Sequence, residues 1–350
     1  MTTSTLPVVP YRAVALQVRC DAVNRLATRL DTQPAIDAAI TRLGDQMRAT
    51  SRFYGRDTRL FVLPEYILTG FPMGERTDTW IDKACIKIPG PEISRLADLA
   101  TELAAFISGN SYEVDPAWPG VYFQASWLVA PDRGLVLKYR RLNSLFSPSP
   151  HDFWTEYRRR HSVAEIFPVA DTAIGRLAAI ASEEILYPEV ARCLMAHGAE
   201  VFLHSTSDVA GHPRMPKEVA KLARAAENMA YLVSANTAGI SGIDIPEDST
   251  NGRSKIVDYR GLVLAEADQG ESVVASAEID IASLARARRQ PGMANLISRQ
   301  RFDLYAPVYG GHTLVPADQF PSPISQRQQL VDAQSAVIQS LIARGVIRGE

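Results

Sequence analysis

Residues 61–72 read FVLPEYILTGFP and set one carboxylate, Glu65, in apolar surroundings. Phe61, Val62 and Leu63 read as the end of a buried strand. Pro64 ends the ladder because it has no N–H to donate. A carboxylate just past such a strand is partly desolvated, which favours its protonated form and suits it to acid or base work near neutral pH. A buried Glu paired with an Arg would look the same, since structural ion pairs also perturb pKa. Four more segments bring polar groups to strand ends: KYRRL at 138–142, IASEEILYPEVAR at 180–192, ARAAENMAYLVSANTAG at 223–239 and GRSKIVDYRG at 252–261. In the second of these, a polar turn separates a strand from a helix opened by Pro188. A residue there suits a nucleophile or ligand, because turn and helix-terminal N–H groups stabilise an anion. It would serve equally as an N-cap.

The elements that must position these groups alternate. Strands are predicted over 12–18, 60–63, 106–112, 121–129, 135–138, 164–169, 177–181, 200–204 and 230–235. A closing group follows over 254–258, 262–267 and 272–278. Helices are predicted over 35–54, from Pro91 onward, from Pro188 to His197 and over 217–229, each with apolar residues at helical spacing. Interleaving of this kind argues for an α/β or layered α+β domain. A last helix carries Leu330, Val331, Val337, Ile338, Leu341 and Ile342 on one face. We expect a domain over 1–306 and a C-terminal extension over 307–350 that meets a neighbouring subunit.

Composition narrows the function classes. The 350 residues hold 37 basic and 39 acidic side chains, a net charge of -2, so neither a nucleic acid nor a membrane surface is indicated as partner. The three cysteines, Cys20, Cys85 and Cys193, are too widely spaced for a disulfide framework or a zinc pattern. The N-terminus lacks a basic stretch followed by a long apolar one, and no apolar run approaches a membrane span. A cytoplasmic protein is expected.

In their order and spacing the five segments resemble the nitrilase, or carbon–nitrogen hydrolase, superfamily over about residues 10–306. The resemblance implies an α+β fold, a four-layer αββα sandwich of two similar halves. It also implies a homodimer or higher homo-oligomer, a small-molecule substrate and no cofactor. Family chemistry uses a Glu base, a Lys that stabilises the oxyanion and a Cys nucleophile. By resemblance Glu65 takes the Glu position. The Lys position falls on Arg141, and Lys138 matches a neighbouring Lys without catalytic role. The Cys position, six residues before Pro188, holds Ser182, and Glu184 matches an acidic residue two positions on. The resemblance implies a second pocket Glu after KYRRL, where Glu156 and His151 are the candidates. It also brings the strand end at His204 to the pocket, where a histidine could contact substrate, move protons, or ligate a metal or haem iron. A hydrogen-bonded His beside the core is the plainer reading.

The two departures matter physically. A free thiol titrates at about 8.5, whereas a Ser hydroxyl is a far weaker acid and needs a strong, well-placed base. An Arg beside Glu65 would lower its pKa by roughly one to three units and weaken it as that base. A single laboratory Cys-to-Ser change would have left the Lys in place. If the family reaction is kept, an amide, carbamoyl or nitrile carbon–nitrogen bond is cleaved. The alternatives are non-covalent lyase or hydratase chemistry, with Arg141 holding an anion, or a catalytically silent binding or assembly protein.

Overall fold

The computed structural model describes residues 8–209, 215–250, 252–320 and 323–348. The first seven residues, read above for a leader, lie outside that set, as do four residues of the extension.

Two six-stranded sheets share one wiring. The first runs, edge to edge, Ser276–Ile279, Tyr11–Ala15, Thr58–Val62, Phe106–Val114, Tyr122–Ala130 and Gly134–Arg140. The second runs Val263–Glu266, Lys255–Val257, Tyr231–Asn236, Val201–Thr206, Gly175–Ala181 and Ala170–Thr172. Each has three parallel strands at its centre and antiparallel neighbours outside them. The central strands Val201–Thr206 and Tyr231–Asn236 are buried along their whole length because both of their faces are covered. Leu60, Val62, Phe106 and Leu128 of the first sheet share one core with Leu177, Ile180, Leu203 and Leu232 of the second.

Helices cover the outer faces. Arg29–Tyr54 and Pro91–Leu103 set Ile36, Leu43, Met47 and Leu96 against Phe61 and Ile107. Pro188–Ala196 and Pro216–Asn228 back the second sheet with Val190, Leu194 and Ala225. This is the αββα sandwich. Pro91, Pro188 and Pro216 each stand in a first turn, where the missing N–H costs nothing.

Some elements depart from the sequence reading, for local reasons. Helix Arg29–Tyr54 starts six residues before the predicted start at Ala35, because Thr28 and Asp31 form a capping box. Residues 164–169 are not a strand. Ser162 and Glu165 cap a short helix, Val163–Ile166, and pairing begins only at Ala170. The boundary expected at 306/307 falls inside helix Phe302–Gly311. The extension packs in part on its own subunit: Ile324 and Leu330 of the following segment are buried, and the Thr77 N–H donates to the Ser325 carbonyl at 3.1 Å. Among the described residues no helix is long and apolar enough to cross a membrane.

Candidate active site

Four strands deliver the site from their carboxyl ends, where layered α/β folds leave room for ligands. Glu65 follows Thr58–Val62, Arg141 follows Gly134–Arg140, Ser182 follows Gly175–Ala181 and Asp208 follows Val201–Thr206. Glu65, Gln124, Arg141, Ser182 and Glu183 line a cavity of about 230 Å³. Glu65 and Ser182 are each only 4% exposed.

Glu65 and Arg141 meet through an intermediary. Gln124 Nε2 donates to Glu65 Oε1 at 2.5 Å, while Arg141 Nη1 donates to Gln124 Oε1 at 2.6 Å and reaches Glu65 Oε1 at 3.5 Å. Arg141 Nε donates to the Asn143 carbonyl at 2.8 Å, and Nη2 pairs with Glu183. Its charge is thus shared between two carboxylates. The expected fall in the Glu65 pKa does not occur. Burial raises it above the ordinary carboxylate value, outweighing the opposing pull of Arg141 and Lys217 and of the Ser182 and Gln124 hydrogen bonds. Glu65 therefore keeps the basicity that the Arg substitution was expected to remove.

Ser182 stands where the strand breaks into a single 3₁₀ turn, with φ +46°. A non-glycine residue in that region costs about 1–3 kcal/mol and persists only where its surroundings hold it. His204 is part of what holds it. Its Nε2 lies 2.9 Å from the Ser182 carbonyl, and its Nδ1 lies 2.8 Å from Ser234 Oγ. A carbonyl can only accept, so Nε2 carries the proton and Nδ1 accepts from the serine. Burial pushes the His204 pKa down to about 3, which keeps the ring neutral. Neither ring nitrogen is open to a metal, a haem iron or a substrate, so the ligand and substrate-contact readings of His204 are corrected to a positioning role. Among the described residues no group of three or more His, Cys, Asp or Glu side chains is placed to hold a metal ion.

Two other candidates sit elsewhere. Glu184 is fully buried and accepts from Tyr139 Oη at 2.7 Å and from the N–H groups of Leu142 and Asn143 at 2.8 and 2.9 Å. It ties the Ser182 turn to the Arg141 loop and does not line the cavity. Glu156 is drawn to the surface by Arg159 and Arg160, three and four residues along its helix. His151 lines a separate hollow of about 500 Å³, together with Trp154 and residues of the extension.

The sequence reading missed Lys217. Its Nζ lies 3.5 Å from Ser182 Oγ and 2.7 Å from Asp208 Oδ1. Asp208 is fixed in turn by Lys221 at 2.9 Å, Thr206 Oγ1 at 2.6 Å and Asn236 Oδ1, which accepts from the Asp208 N–H at 2.7 Å. Lys221 continues to Glu218 at 2.6 Å, and Glu218 to Lys255 at 2.5 Å. A buried chain of alternating charges thus leads to the amine beside Ser182. Gln124 was missed too, although a polar residue in the wholly buried strand YFQASWLVA is a signal in itself.

The family model described as carbon–nitrogen hydrolase matches residues 31–289. An omega-amidase of Homo sapiens is 25% identical over 224 residues, covering 63% of this chain and 76% of its own. A nitrilase of Pyrococcus abyssi is 28% identical over 249 residues, covering 71% and 86%. The crystal structure of a carbon–nitrogen hydrolase from Helicobacter pylori superposes with a TM-score of 0.66 at 19% identity, over 85% of this chain and 98% of that one, and so shares the fold.

Proposed function

The chain belongs to the carbon–nitrogen hydrolase family, and from that premise we propose that it hydrolyses the carbon–nitrogen bond of a small amide through an ester on Ser182. Ser182 Oγ attacks the carbonyl carbon and passes its proton to Glu65. The oxyanion that forms is stabilised by the Lys217 ammonium and the turn N–H groups. Collapse breaks the carbon–nitrogen bond, and Glu65 returns the proton to the departing ammonia. Water then attacks the ester with Glu65 again as base, releasing a carboxylate and restoring Ser182.

The observation that carries this reading is the Lys217 ammonium 3.5 Å from Ser182 Oγ. It supplies a positive charge beside Ser182, while Arg141 is engaged with Glu65, Gln124, Asn143 and Glu183. Those same commitments count against the non-covalent reading in which Arg141 grips a substrate anion. The apolar helix Phe302–Gly311 leaves Leu304, Tyr305, Val308 and Tyr309 each more than half exposed, which favours the homo-oligomer and a subunit contact through the region that opens the extension.

The test is ammonia release from a panel of short amides. Glu65→Gln abolishes turnover. In the wild type, kcat/KM falls on acidification with an apparent pKa above the ordinary carboxylate value, because the base must be ionised and burial raises its pKa. Full activity in Glu65→Gln would sink the assignment.

A further inference from the structure

A second cavity lies beside the catalytic one. The hollow of about 500 Å³ that His151 and Trp154 line is bounded by the loop and turn over 142–154, the coil 312–320 and the C-terminal helix Arg327–Ala343. The coil is pinned at both ends. Asp318 accepts from the Thr155 N–H at 2.9 Å and from Thr155 Oγ1 at 2.6 Å, and its own N–H donates to the His151 carbonyl at 3.1 Å. Arg344 Nη1 donates to the Thr313 carbonyl at 2.6 Å. The volume falls within that of small-molecule sites, roughly 300–1,000 Å³.

Its chemistry is lopsided. Leu142, Leu145, Trp154, Phe320, Leu330 and Val337 make most of the wall apolar. Among the described residues that line it there is no Lys or Arg, and Asp152 is the one carboxylate. Asp152 is half-buried. Its Oδ2 accepts from the Ser149 N–H at 2.8 Å and from Ser149 Oγ at 3.0 Å, which caps the turn Pro150–Phe153. Its Oδ1 has no hydrogen-bond partner among the described residues, and no cation among them lies within salt-bridge distance. Arg158 stacks on the Trp154 ring, 5.6 Å from its centroid, and does not line the hollow. A charge partly withdrawn from water without a counter-ion is costly. A bound cation relieves it through a charge-assisted hydrogen bond, whereas an anion would meet the carboxylate with nothing to offset it. Among the described residues no group of three or more His, Cys, Asp or Glu is placed to hold a metal ion, so the cation that fits is organic. At about 30 Å³ for each water's share of liquid volume, 500 Å³ is the space of roughly seventeen waters. That is room for a ring or two with a short amine arm.

We propose that this hollow is a second small-molecule site, which takes a protonated primary amine with an apolar ring body, its ammonium on Asp152, and which is coupled to the catalytic cavity. Two walls are common to both cavities. Ser144 lines each of them. Asn143, which lines the hollow, accepts from Arg141 Nε at 2.8 Å through its carbonyl and donates its N–H to Glu184 Oε1 at 2.9 Å. The C-terminal helix sets Arg327 in the wall of the catalytic cavity and Leu330 and Val337 in that of the hollow. An occupant therefore bears on the loop that holds Arg141 and, through Glu184, on the Ser182 turn. The site stands independently of the amide-hydrolysis reading, and its tests need no turnover.

The probe is naphthylethylamine, with naphthylethanol as its neutral match, titrated calorimetrically into the full chain at neutral pH. The amine is expected to bind once per chain and about tenfold or more tighter than the alcohol. Asp152→Asn keeps an oxygen to cap the turn and removes the charge. It weakens the amine about 10- to 100-fold and leaves the alcohol little changed. Ala333→Trp fills the hollow from the helix side and abolishes binding of both. Glu65→Gln leaves the amine's affinity as it is, since the carboxylate of the catalytic cavity is not its partner. Coupling is read by hydrogen exchange. The amine slows exchange of the backbone amides of Ser182–Leu186 in the wild type, and at the same concentration does not in Asp152→Asn. No binding of the amine, equal affinity for amine and alcohol, or undiminished binding in Asp152→Asn overturns the site. Loss of binding in Glu65→Gln places the amine in the catalytic cavity and overturns it too. Unchanged exchange over Ser182–Leu186 with the amine bound overturns the coupling.

Discussion

Replacing Lys217 with Met removes one charge beside the reacting atom and keeps most of the side chain's volume. Two unit charges 3.5 Å apart, the distance from Lys217 Nζ to Ser182 Oγ, interact by about 5 kcal/mol at an effective dielectric of about 20. The Lys217 side chain is 25% exposed, so solvent screens part of this. The developing negative charge is also spread between Oγ and the carbonyl oxygen. About half the full figure remains, which corresponds to a loss of roughly 100-fold in kcat/KM, at the low end of what removing one oxyanion donor costs. The fold should tolerate the change. Asp208 keeps Lys221 at 2.9 Å, Thr206 and Asn236, so no buried carboxylate is stranded. The assay is steady-state ammonia release at the pH optimum, with urea denaturation in parallel. The expected result is a fall of about two orders of magnitude, mostly in kcat, with the denaturation midpoint little moved. A kcat/KM within threefold of wild type would refute the role given to Lys217. A protein that unfolds at low urea would instead show that the amine is structural.

Two further outcomes follow from the same geometry. His204 is held neutral with its pKa lowered to about 3, below that of an unfolded histidine at about 6.5. Its contribution to stability is therefore complete above about pH 6.5 and is lost as the pH falls toward 3, at up to about 1.4 kcal/mol per pH unit. Urea midpoints between pH 7 and 4 should fall more steeply for wild type than for His204→Gln, and parallel curves would contradict the buried neutral ring. Ser182→Cys places a thiol of about pKa 8.5 where a hydroxyl stood, and the +46° backbone already tolerated by Ser182 suits either residue. Pre-steady-state ammonia release should show a faster acylation burst with Cys, and an unchanged burst would mean that attack by residue 182 does not limit the step.

Much of the site was legible because its residues sit in contiguous strand-plus-turn segments. FVLPEYILTGFP and IASEEILYPEVAR each carry both the apolar run that becomes a central strand and the polar residue at its carboxyl end. Glu65 stands out from its segment alone, whereas Ser182 is singled out only by the family resemblance. Lys217 is singled out by neither. It stands in KEVAKLARAAEN, which reads only as a helix, and it meets Ser182 only because the start of helix Pro216–Asn228 faces the end of another strand. Glu156 failed for the opposite reason: two arginines one helical turn away hold it in solvent, a local pairing that outweighs its place in the sequence. Helix Phe302–Gly311 was hidden by Pro307 and by the glycines at its end.

The central claim is a covalent ester on Ser182, and intact-protein mass spectrometry on acid-quenched turnover mixtures addresses it most directly. The account predicts a mass increment equal to the acyl group of the amide, mapping to the peptide that contains Ser182 and absent from Ser182→Ala. Turnover with no increment in the wild type under conditions where deacylation is slowed, or an increment that survives in Ser182→Ala, would contradict it.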